Sequence, residues 1–135
     1  MKTFEAPALE PLTTDALIEQ RVGDIVGRAL NRQLWFMFVD DDHLQLPLVI
    51  PVDRPAHPDD ELDLLVAKLK PMTESLEAAA VIVVIERHGG DELTAGDIAW
   101  VRAIARSFEL AGVTLRGIAL SHRHGVRWIA RDHYR

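Results

Sequence analysis

Ala80-Val81-Ile82-Val83-Val84-Ile85-Glu86 is the stretch from which the rest of the chain can be placed. It is rich in β-branched residues, and both of its alternation sets are apolar. That pattern belongs to a strand buried on two faces inside an α/β sheet. Downstream, His88 to Asp91 reads as a glycine-containing loop. Thr94 and Asp97 are spaced like a capping box, with Asp in place of Glu. They predict a helix over Thr94–Ala111, with Ile98, Val101, Ala105 and Phe108 toward the core and Gly112 as its left-handed cap. A strand over Thr114–Ser121, a tight turn at His122-Arg123-His124-Gly125, a last strand over Val126–Ala130 and a short polar tail complete this half.

Upstream, Asp59–Lys70 reads as a helix, with acids in its first turn and lysines in its last. Its apolar stripe is Leu62, Leu65, Val66 and Leu69. Pro71 ends or kinks it, and Thr73–Ala79 adds a further turn. Before it come a proline-rich connection, Pro51–Pro58, and two apolar runs, Leu34–Val39 and Leu44–Ile50, joined through Asp40–His43 as a hairpin. Pro47 has no N–H for a ladder, so the second run is expected at a sheet edge or at a bulge. Ile18, Val22, Ile25, Val26 and Ala29 define a first helix over Thr14–Leu30, with Gly23 and Gly27 inside it. Residues 1–12, with Pro7 and Pro11, read as an extended tail. The order is α-β-β-α-β-α-β-β in a single α/β domain spanning 1–135. A hairpin followed by β-α-β crossovers predicts a mixed sheet in three layers, with helices on both faces.

With 135 residues, 48% of them hydrophobic and 27% charged, the chain has the makeup of a domain that folds around its own core. It contains no cysteine, which excludes disulfides, thiolate metal sites and a cysteine nucleophile. Met1–Leu12 has no apolar signal-peptide core, and no apolar run approaches the roughly 18 residues of a membrane span, so a cytoplasmic location without membrane contact is expected. The net charge of −6 argues against nucleic acid as a partner. Charge is unevenly spread. Arg116, Arg123, Arg127, Arg131 and Arg135 face only Asp132 after Val113, whereas acids cluster at Asp40–Asp42 and Asp59–Asp63. These are either solvated faces or a polarised surface that meets a second copy of the chain.

No phosphate-binding glycine motif and no nucleophile elbow occur. The best chemical candidate is Glu86, His88 and Asp97. Residues two apart on a strand point to one side, so Glu86 and His88 would converge at the strand end, and Asp97 could reach back from the next helix. Strand C-terminal ends are where open α/β sheets place ligands. Two carboxylates and an imidazole suit a catalytic zinc. The alternative is structural: Glu86 paired with Arg87 or Arg116, His88 in a loop and Asp97 capping its helix. His122 and His124 form a second possible metal pair or simply fill a hairpin turn. Trp100, beside the expected stripe of its helix and near Ile104, is read either as core edge or, with Ile104, as a homo-oligomer interface.

Glu86-Arg87-His88-Gly89-Gly90-Asp91, then Thr94 and Asp97, then a helix ending Ala111-Gly112-Val113, then Arg116 to Trp128, resembles the JAB/MPN metalloprotease-like domain, in particular its RadC type. The likeness covers residues 80–130 by motif and the rest by element order. It implies a three-layer, deaminase-like fold. Glu86 stands where that family has its first metal histidine, Gly89-Gly90 where it has Pro-Ser, and for its catalytic glutamate the region before the hairpin offers only Glu19 as a counterpart. The resemblance thus implies a zinc-peptidase frame with a degenerate metal site.

Three functions are open on these grounds. The first is a non-enzymatic interaction or regulatory domain that self-associates and binds an unidentified protein partner, with no cofactor. The second is a zinc-dependent peptidase or isopeptidase of the JAB type using Glu86, His88 and Asp97. The third is a small-ligand pocket at the same strand end, lined by backbone amides near Thr94.

Overall fold

The computed structural model describes residues 10–135, so most of the expected N-terminal tail lies outside the described residues. Helix α1 spans Asp15–Ile25, β1 Gln33–Val39, β2 Gln45–Asp53, α2 Glu61–Leu76, β3 Ala80–Glu86, α3 Ala95–Ala111, β4 Leu115–His122 and β5 Gly125–Ile129. This is the expected element order, followed by a 3-10 turn at Arg131–Tyr134 where a polar tail was expected. That turn is tied down: the Ile118 amide donates to the Tyr134 hydroxyl (2.7 Å), which in turn donates to the Ile129 carbonyl (3.2 Å).

The five strands form one mixed sheet in the order β2-β1-β3-β4-β5. Strand β1 runs antiparallel to β2 and β3, β3 and β4 are parallel, and β5 returns antiparallel to β4. Strand β3 is central, which accounts for its apolar residues on both faces. Val81, Val83 and Ile85 join a core cluster with Leu62, Val66 and Leu69 of α2 and with Trp100, Val101, Ile104 and Phe108 of α3. Ile82 and Val84 point the other way, into a cluster with Ile18 and Val22 of α1.

Three boundaries differ from the expected ones. Helix α1 ends at Ile25, five residues early. Gly27 takes a left-handed conformation (φ 69°) and stops it. The backbone beyond is committed elsewhere: the Ala29 amide donates to the His122 carbonyl (2.8 Å), and the Gly27 carbonyl accepts from the Ser121 hydroxyl (2.6 Å). Helix α2 does not end at Pro71 but runs to Leu76, closing at Glu77 with the Ala78 amide bonded to the Thr73 carbonyl (2.8 Å). Proline's φ suits a helix, so the helix continues through Pro71 at the cost of one ladder bond and of the crowding its ring brings to the preceding turn. Strand β2 continues through Pro51 to Asp53. It is an edge strand with a register shift opposite Met37–Val39, so its prolines cost little on its open side.

The buried stripe of α3 is also rotated. It comprises Asp97, Trp100, Val101, Ile104, Ser107 and Phe108, while Ile98 and Ala105 are only partly buried. Two polar residues sit on the inner stripe because each has a partner: Asp97 pairs with Arg87, and the Ser107 hydroxyl donates to Asp63 of α2. Among the described residues, no helix is long and apolar enough to cross a membrane.

Candidate functional site

Because β1 is antiparallel to its neighbours, one end of the sheet gathers the start of β1 and the ends of β2 and β3. Arg32, Arg54 and Arg87 flank these three strands, and the N-terminus of α3 lies beside them.

Glu86 does not face this end as a free ligand. Its side chain follows Ile82 and Val84 onto the α1 face, where it is 3% exposed. One carboxylate oxygen accepts from the Leu30 amide (2.7 Å) and the Asn31 amide (2.8 Å), and the other from the Trp35 indole (2.9 Å). Glu86 therefore ties the α1–β1 connection to the sheet. It is paired with neither Arg87 nor Arg116; the latter forms an ion pair with Asp15 (2.9 Å).

Asp97 lies across the sheet. Arg87 grips it from two nitrogens, Nη2 to Oδ2 at 2.7 Å and Nε to Oδ1 at 3.0 Å. The Thr94 amide also donates to Asp97 (2.9 Å), and the Asp97 amide donates to the Thr94 hydroxyl (3.1 Å), completing the expected capping box. Burial works to raise the Asp97 carboxyl, but the Arg87 hydrogen bonds, the Thr94 amide and the Arg87 charge outweigh it and hold the carboxyl below its ordinary value. Arg87 further donates to the carbonyls of Gly90 (2.6 Å) and Glu92 (3.0 Å), so one guanidinium braces the whole β3–α3 loop.

The expected zinc set is thus not assembled. Glu86 and Asp97 sit on opposite faces of the sheet with their oxygens engaged, and His88 is exposed in the loop. No group of three or more His, Asp or Glu among the described residues is placed to hold a metal ion. Adjacent strand residues point to opposite faces, so Arg87, and not Glu86, shares a face with Asp97.

Of the two readings of His122 and His124, the geometry favours residues that fill the hairpin turn. The His124 amide donates to His122 Nδ1 (3.2 Å), and the two rings stand 6.5 Å apart. His122 is 7% exposed, and burial, with help from the charges of Arg87, His124 and Arg127 and against that of Asp91, lowers its pKa. Of the two readings of Trp100 and Ile104, core edge or self-association face, the packing favours the core: they are 3% and 0% exposed. The Trp100 indole donates to the Ala56 carbonyl (3.1 Å).

What the sheet end does offer is a hollow of about 210 Å³, lined by Arg32, Arg54, Arg87, His88, Thr94, Gly96, Asp97 and Trp100 together with Ala56. Arg54 was not singled out by its sequence context. It lies just beyond β2, donates to the Gln33 carbonyl (3.3 Å) and the Glu86 carbonyl (3.0 Å), and stacks 5.1 Å above the Trp100 ring. Burial first, then the neighbouring Arg32 charge, pushes its pKa down to about 10. Arg87 is neutralised by Asp97, whereas Arg32 and Arg54 form no ion pair among the described residues. The hollow is net cationic. No protein-family model and no curated protein sequence matches the chain.

Proposed function

We propose that this chain is a non-catalytic α/β binding domain in a three-layer, deaminase-like arrangement, and that the hollow at the sheet end receives an anion between Arg32 and Arg54. The element order and the division of the core between the two faces of β3 support the layered, deaminase-like frame. On this reading the likeness to JAB/MPN domains extends to the frame and not to the zinc chemistry, because two of the three candidate ligands are spent on structural bonds. The observation that carries the reading is that Arg32 and Arg54 line one hollow and neither forms an ion pair with a carboxylate among the described residues. Two like charges held together lack a counter-charge, and a planar guanidinium fork recognises carboxylate and phosphate groups.

The test is thermal unfolding of the whole chain in phosphate, sulfate and chloride at equal ionic strength. A bound ligand at a hundred times its Kd stabilises by about 2.7 kcal/mol. Phosphate or sulfate should raise the melting temperature over chloride, and Arg32→Glu, at an exposed residue, should remove the effect. Near-stoichiometric zinc in the purified protein, lost in His88→Ala, would overturn the reading in favour of the peptidase.

A further inference from the structure

The cationic hollow has a neighbour. Arg54 and Trp100 also line a larger trough of about 340 Å³, between the end of β2 and the first turns of α2. The two depressions therefore share one wall, the Arg54 guanidinium stacked on the Trp100 ring. The floor of the trough is apolar, made by Leu34, Val52, Leu62 and Leu65. On its flank Leu64 is 64% exposed, a large apolar side chain left in water beside an apolar floor. The size lies at the lower end of the range for small-ligand sites.

Charge gives the combined site a direction. The trough is lined by Asp53, Asp59 and Glu61 against Lys68 and the shared Arg54, a net negative balance that disfavours an anionic group away from the Arg54 wall. The hollow on the other side of this wall carries Arg32 and Arg54, which form no ion pair among the described residues. A ligand with its negative group between Arg32 and Arg54 and an uncharged tail over Leu62, Leu64 and Leu65 matches both halves. A carboxylate suits the head, because it is planar and accepts in pairs from a fork such as that of Arg32, with Arg54, whose Nε and Nη2 already donate to the Gln33 and Glu86 carbonyls, adding its remaining N–H groups and its charge.

Building on the anion site above, we propose that the ligand is an amphiphilic carboxylate whose apolar tail lies in the Leu62–Leu65 trough and whose head is held by Arg32 and Arg54. Tail burial then sets affinity, at about fourfold per methylene removed from water.

The experiment is a two-dimensional amide NMR titration of the full chain with acetate, hexanoate, octanoate and octanol at constant ionic strength, followed at the Trp100 indole N–H. The expected result is octanoate binding at least a hundredfold tighter than acetate, with hexanoate between them. Leu64→Asn, a charge-neutral change at an exposed position, should weaken octanoate at least tenfold and acetate far less. Arg32→Glu should weaken both acids. Acetate and octanoate of equal affinity would overturn the tail assignment while leaving the anion site standing. Octanol binding as tightly as octanoate, with Arg32→Glu without effect, would overturn the anion site and this inference with it. No shift with any of the four, in a protein that phosphate also fails to stabilise, would do the same.

Discussion

Replacing Glu86 by alanine distinguishes a structural carboxylate from a functional one. The side chain is 3% exposed and satisfies three donors: the amides of Leu30 and Asn31 and the indole of Trp35. A buried donor left without a partner costs about 1–3 kcal/mol. Leu30 and Asn31 are themselves exposed, so water can reach their amides after truncation and each falls at the low end. The indole, held between sheet and helix, falls nearer the middle. The sum is about 3–5 kcal/mol, a large share of the roughly 5–15 kcal/mol by which domains are stable. Glu86→Gln retains one acceptor and should cost about 1–3 kcal/mol. Urea unfolding followed by far-ultraviolet circular dichroism reads these losses without depending on tryptophan emission. The m-value should stay constant if only the folded state is weakened. A cycle with Trp35→Phe should show a coupling of about 1–2 kcal/mol, because the two residues meet in one bond. A loss below about 1 kcal/mol in Glu86→Ala, or a gain, would refute the reasoning and return Glu86 to the list of functional carboxylates.

Two further outcomes follow from the packing and the titrating groups. A Cβ at Gly117 would fall inside the Trp128 ring, which lies across β4, so Gly117→Ala should cost at least about 1–3 kcal/mol in the same unfolding assay, with Trp128→Leu restoring part of it. His122 has a folded pKa below its ordinary 6.5, so between the two values the unfolded chain binds more protons. Its contribution is complete above the unfolded value and is lost as pH falls toward the folded one. The melting temperature of the native chain should therefore drop more steeply below pH 6.5 than that of His122→Gln, and parallel curves would remove the assignment.

Much of the fold is legible in local pattern. The two apolar sets of Ala80–Glu86 read directly as a central strand, Thr94 and Asp97 as a helix start, Gly112 as its end and Pro47 as the mark of an edge. These signals work because they depend on backbone geometry within a few residues. The stripe of α3 differs by one position from the apolar pattern because Asp97 and Ser107, polar by type, are buried against Arg87 and Asp63. The length of α1 was misread because Gly27 is neutral in a helical pattern until the sheet end claims the backbone beyond it.

The candidate site divides in the same way. Glu86, Arg87, His88 and Asp97 stand out in the sequence as a cluster of chemistry, and three of them, Arg87, His88 and Asp97, line the hollow at the sheet end. Spacing along the chain says nothing about which side of the sheet a strand-end residue serves. The packed sheet sends Glu86 to the α1 face and Arg87 to the α3 face, which turns a possible metal set into two separate structural anchors. Arg32 and Arg54 are twenty-two positions apart and bracket a hairpin, and only the antiparallel pairing of β1 with β2 brings them to one hollow. The sequence by itself determined the kinds of element and their order, through periodicity and caps that act over a few residues. Only the tertiary structure decided which charges are paired and which, among the described residues, are left without a partner, because that depends on the strands that the crossovers set side by side.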